Sequence, residues 1–117
     1  MSTERKLRIN NHDMRRLVTD RHLFTNNNET VYAQHRGDLY VVYSYGEHFP
    51  MYAFDEVACV WLGNKDKYSR TTTTHQSLAR PDTDSIRWMN TDDLRTVVAA
   101  GGYVPYCADR CTGVLAA

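Results

Sequence analysis

The side chains best able to do chemistry in this chain are concentrated in residues 65–81, KDKYSRTTTTHQSLARP. The segment carries six Ser or Thr hydroxyls together with Tyr68, His75, Lys65, Lys67, Arg70 and Arg80. An arginine fork matches a phosphate or carboxylate, and hydroxyls add neutral donors. Such a stretch can hold a phosphate or a polar protein surface. It is also ordinary loop chemistry, and threonines pair readily across strands. A second imidazole, His48, stands in YSYGEHFP. Set across a cleft from His75, it would give metal-independent acid–base cleavage of a phosphodiester.

Cys107-x3-Cys111 places two thiols at a spacing known from zinc sites, and His48 or His75 could complete a set. No second matching pair exists, so the cysteines read as ordinary thiols and no metal is expected. No cofactor motif is present, and no cofactor is expected. Tyr32, Tyr40, Tyr43, Tyr45 and Tyr52 could stack the bases of a single strand. Alternatively, two or three of them belong to the core and the rest cover one sheet face.

The elements that must position these groups are short. Residues 1–9 read as a loose arm or a short edge strand. Asn10 or Asn11 caps a helix with Asp13 in its first turn, and Met14, Leu17 and Val18 form its apolar stripe. That pattern runs out near Phe24, before Asn26-Asn27-Asn28. From Glu29 the period becomes two: a strand to Arg36, a turn at Gly37-Asp38, and the aromatic and β-branched run LYVVYSY. A third strand spans residues 49–54, with Pro50 at its first position or on an edge, and a fourth spans 57–62. The fourth contains Cys59 and ends at Gly63-Asn64. Residues 65–81 have no clear period, although residues 71–74 could form a short strand. Residues 82–85 turn. Thr91 caps a second helix with Leu94, Val97 and Val98 inward, closed by Gly101-Gly102.

The fold expected is therefore α+β: an antiparallel four-stranded meander packed with two short helices, in a single domain over residues 1–117. Residues 103–117 form a tail. A length of 117 residues can bury one core without staples. The apolar fraction of 42% and charged fraction of 24% are globular values, so disorder throughout is excluded. Net charge is zero but unevenly spread. Residues 1–36 carry seven Lys/Arg against four Asp/Glu, residues 37–63 none against four, and residues 64–90 five against three. That allows a local anion-binding face and argues against binding driven by overall charge. With an odd cysteine count, no apolar leader and no run near the roughly 18 apolar residues of a membrane span, a reducing cytoplasm and no membrane contact are expected.

The hairpin VVYSYGEHFPMYAFD and the following VWLGNKDKYSRTTTTHQSLARP resemble a group of small uncharacterised tailed-bacteriophage proteins. These join a YSYG-x-H-x-P hairpin to a KYS-x-TT-x-x-HQS loop. The shared positions fall on Tyr43, Ser44, Tyr45, Gly46, His48, Pro50, Tyr68, Ser69, Thr71, Thr72, His75, Gln76 and Ser77. The resemblance carries no activity. It implies an accessory protein in the host-cell cytoplasm that binds and disables a host protein or ribonucleoprotein complex, in the manner of an anti-CRISPR inhibitor. The contact surface expected is Tyr45, His48, Tyr68, Ser69, Arg70, Thr72, His75, Gln76 and Arg80. Nucleic-acid binding through Lys65, Lys67, Arg70 and Arg80 is the alternative, a small nuclease using His48 and His75 a further one. Exposed strands could also serve a homodimer.

Overall fold

The run Leu39–Ser44 is buried along its whole length. A strand buried on both faces needs cover on both sides, and this chain builds it. The computed structural model describes residues 7–67 and 69–102. Its order is β1 (Leu7–Ile9), α1 (Met14–Thr19), β2 (Phe24–Asn26), β3 (Val31–Arg36), β4 (Leu39–Ser44), β5 (Pro50–Asp55), β6 (Val60–Asn64), α2 (Arg70–Ala79), β7 (Ile86–Met89) and α3 (Thr91–Ala100). A short 3-10 turn, Asn11–Asp13, precedes α1, with the Asn10 side chain accepting from the His12 N–H.

The α+β class holds, but the four-stranded meander with two helices is too small. Among the described residues there are three α-helices and one seven-stranded mixed sheet in sequence order, β1 to β7. The antiparallel meander β3–β6 lies inside it as expected, with Pro50 opening β5. The short edge strand read as one option for residues 1–9 is present as β1, whereas β2 and β7 were missed: β1–β2 and β6–β7 pair in parallel across a helix, a connection that leaves no hairpin signal. Boundaries also shift. α1 stops at Thr19, so Phe24 belongs to a strand rather than a helix end. β6 begins at Val60 and runs through Gly63-Asn64, which places Cys59 in the preceding turn, exposed and not in a core strand. Asn90 rather than Thr91 caps α3, accepting from the Asp93 N–H at 2.8 Å.

Strand directions explain where the helices go. From β2 to β6 the chain reverses four times, so β1→β2 and β6→β7 cross the sheet in the same sense. Right-handed crossovers then put α1 and α2 on one face. They meet there: Arg15 of α1 donates to the Ser77 carbonyl of α2 at 3.1 Å, and the Asp82 N–H donates to Thr19 Oγ1 at 2.8 Å. This face buries Met14, Leu17, Val18, Phe24, Tyr40, Val42, Met51 and Trp61. The opposite face buries Leu39, Val41, Tyr43, Ala53 and Leu62 under Leu94 and Val97 of α3. Period-two alternation along β4 thus feeds two cores at once.

Candidate functional site

The stretch 65–81 contains a ten-residue helix where a loop or a threonine strand was expected. Ser69 caps it, its Oγ accepting from the Thr72 N–H at 3.1 Å. The helical period is present at Thr72, His75, Gln76 and Ala79, the buried stripe of α2. Three of those four residues are polar, so a search for apolar spacing passes over it. Four consecutive threonines, poor helix formers, hide it further. The legible signals were Ser69 three residues before Thr72 and Pro81 just past the end.

A buried polar stripe needs partners, and β5, β6 and the β6–α2 connection provide them. Gln76 Nε2 donates to the carbonyls of Asn64 and Asp66, both at 3.0 Å, and the Gln76 backbone carbonyl accepts from the Tyr52 hydroxyl at 2.7 Å. Burial pushes the Tyr52 phenol up to about 12, so it remains a donor. Asn64 Nδ2 in turn donates to the Pro50 carbonyl at 2.9 Å and to Thr91 Oγ1 at 3.0 Å. Asp66 accepts from the Thr91 N–H at 2.8 Å, and that bond holds its carboxyl below the ordinary range. One chain of bonds therefore ties α2 on one face to the first turn of α3 on the other. Gln76 Oε1 is buried without a partner.

His75 belongs to the same inner surface. Its Nδ1 lies 2.8 Å from Ser44 Oγ, and burial lowers its pKa, so the ring is neutral near pH 7. A Ser–His contact is the start of a nucleophilic pair, but Ser44 is only 1% exposed. The hydroxyl is a strand-interior group without access to substrate. His48 is exposed beside α3, in an open cleft of about 470 Å³ lined with Asp66, Asn90, Thr91, Asp92 and Arg95. His75 is not among the residues that line that cleft. Among the described residues no group of three or more His, Cys, Asp or Glu is placed to hold a metal, and no helix is long and apolar enough to cross a membrane. Cys107, Cys111 and Tyr68 lie outside the described residues.

Of the expected surface, Tyr45, His48, Ser69, Arg70 and Arg80 are exposed, whereas Thr72, His75 and Gln76 are buried; Thr71, Thr74 and Ser77 of α2 and Lys65 and Lys67 before it are exposed as well. Tyr45, 56% exposed, lies against the His75 ring with centroids 5.4 Å apart. It sits in the β4–β5 turn at φ +67°, a left-handed conformation that costs a bulky residue and is held by its N–H bond to the Thr30 carbonyl at 2.7 Å. At the other flank of α2 the Arg80 guanidinium lies 5.4 Å from the centre of the Trp88 ring, which is 43% exposed. Trp88 lies close over Gly63, where an added Cβ would come within 2.7 Å of the ring, and edge-on to Tyr52.

Sequence reasoning missed Trp88 and Arg15. The period-two order of Ile86, Arg87, Trp88 and Met89 was the signal for β7. Among the described tyrosines, Tyr40, Tyr43 and Tyr52 are core, Tyr32 is half-buried and Tyr45 is exposed, so these five rings form no common platform. No family model, curated protein or solved structure matches this chain.

Proposed function

We propose that this protein acts by binding rather than by turnover, and that the outer face of α2 is its contact surface. The observation that carries the reading is the division of that helix. Thr72, His75, Gln76 and Ala79 are committed to the interior, while Arg70, Thr71, Thr74 and Ser77 face solvent with no acidic side chain anywhere in the helix. Tyr45 stands at one flank, and Trp88 with Arg80 at the other. Half-exposed aromatics beside arginines are the composition of interface hot spots. The surface fits a partner that presents negative charge and flat apolar groups. Taken with the phage resemblance of the hairpin and the α2 segment, the partner is a host protein or ribonucleoprotein in the cytoplasm, which the bound domain disables.

Affinity purification of the tagged chain from bacterial lysate tests this. A stoichiometric partner is expected with the wild-type protein, weakened by about 1–3 kcal/mol in Arg70→Ala or Tyr45→Ala. Recovery of no specific partner by the wild-type chain would overturn it. A second reading, direct binding of single-stranded nucleic acid, draws on the Arg80–Trp88 stack and on Lys65, Lys67 and Arg70. It requires affinity for short oligonucleotides that falls steeply with salt. Absence of binding at low salt removes it.

A further inference from the structure

On the face of the sheet opposite α1 and α2, a cleft of about 420 Å³ opens between the flank of α3 and the ends of β3 and β4. Its sheet-side wall holds Arg36, Tyr43 and Glu47, and its helix-side wall Arg95, Val98 and Ala99. The volume falls within the roughly 300–1,000 Å³ of small-molecule sites. Arg36 ends β3, and its Nη2 is paired with Glu47 beside the Tyr43 phenol. Tyr43 itself is 1% exposed and packed in the core, so the clamp stands on a rigid floor. Arg36 Nε is buried and bonded to nothing. The side chain as a whole is 39% exposed, so guanidinium donors other than Nε remain open to an acceptor in the cleft.

The charge balance agrees. Two guanidinium groups share the cleft with one carboxylate, and Arg95 has no ion-pair partner among the described residues. Within this cleft's own lining positive charge is in excess by one, while Asp66 and Asp92 border Arg95 in the neighbouring cleft. Val98 and Ala99 add an apolar wall for whatever carries that group.

We propose that this cleft binds a small organic oxyanion, a carboxylate or a phosphate monoester, between Arg36 and Arg95. The site lies on the α3 side of the sheet and is independent of the α2 surface, so the two are separable by mutation.

Amide spectra of the full chain, recorded during titration at constant ionic strength with inorganic phosphate, succinate or sodium chloride, test it. Phosphate, succinate or both should give saturable shifts at Gly37, Tyr43, Val98 and Ala99, and chloride should not. Response to phosphate alone assigns a phosphate monoester, and response to succinate alone a carboxylate. Arg95→Gln, a change at an exposed position that leaves the core intact, should weaken binding by about tenfold or more, the scale of one lost charge-assisted bond. Arg70→Ala should leave it unchanged. Shifts that never saturate with either oxyanion, or equal affinity in Arg95→Gln, would overturn the proposal. Arg36→Gln adds a second reading only if its spectrum remains folded, and Arg95→Gln decides the matter either way.

Discussion

α2 and α3 are both ten residues long, both open on a side-chain cap, and pack on opposite faces of the same sheet. They are held by different physics. α3 buries Leu94 and Val97 against Leu39, Val41 and Leu62, starts with Asp92 and Asp93 in its first turn, and ends at Gly101 in the left-handed conformation. α2 buries Thr72, His75 and Gln76 and is located by named hydrogen bonds. Apolar contact is non-directional and tolerates small slides, whereas a hydrogen-bonded glutamine fixes one register. α3 is therefore adhesive, whereas α2 is aimed. An aimed helix has a defined outer face, which a contact surface requires.

The largest expected effect belongs to α3. Leu94→Ala removes a fully buried side chain from a closed cluster and should cost about 2–5 kcal/mol by urea denaturation. Gln76→Ala should cost less, about 1–3 kcal/mol, mainly through stranding the Asn64 and Asp66 carbonyls. The comparison breaks if the order reverses, or if Gln76→Leu, which fills the space without the bonds, is as stable as wild type. In that case the polar stripe would only fill volume.

The strands β3 to β6 and helix α3 could be read because their burial is apolar and periodic, as in Leu94, Val97 and Val98. α2 was opaque because its inner stripe is polar, and polar residues signal burial only once their partners are known. Asn64 and Tyr52 are 12 and 24 positions from Gln76, and nothing in the string connects them. β2 and β7 escaped because their parallel pairing with β1 and β6 is decided by crossover direction rather than by a turn. Among the candidate site residues, Arg70 and Arg80 kept the outward placement that their chemistry needs. Ser69, Thr72, His75 and Gln76, chosen for the same chemistry, proved to be what holds the helix in place.

A smaller effect is expected from pH. Burial holds the His75 pKa below its unfolded value of about 6.5, so the unfolded chain takes up the proton first as pH falls. The His75 contribution should be fully present above about pH 6.5 and decline as pH drops from there toward the folded pKa. It is read as the stability difference between wild type and His75→Gln, which should be flat above that point and shrink below it. A difference that grows on acidification would mean a carboxylate faces the ring, and α2 would then be held by charge.

The smallest change in stability, and the sharpest test of the aimed-helix idea, should come from Tyr45→Gly. Glycine relieves the left-handed backbone at φ +67°, which offsets the loss of the ring contact with His75. Both terms are about 1 kcal/mol, so the net shift in unfolding free energy should stay under about 1 kcal/mol. If the aromatic ring is kept there for contact, partner capture should nevertheless fall by about 1–3 kcal/mol in affinity. A variant of unchanged stability and unchanged capture would place the contact elsewhere on α2. A variant that unfolds would instead mean that Tyr45 covers His75 as part of the core, leaving Arg70, Arg80 and Trp88 as the outward set.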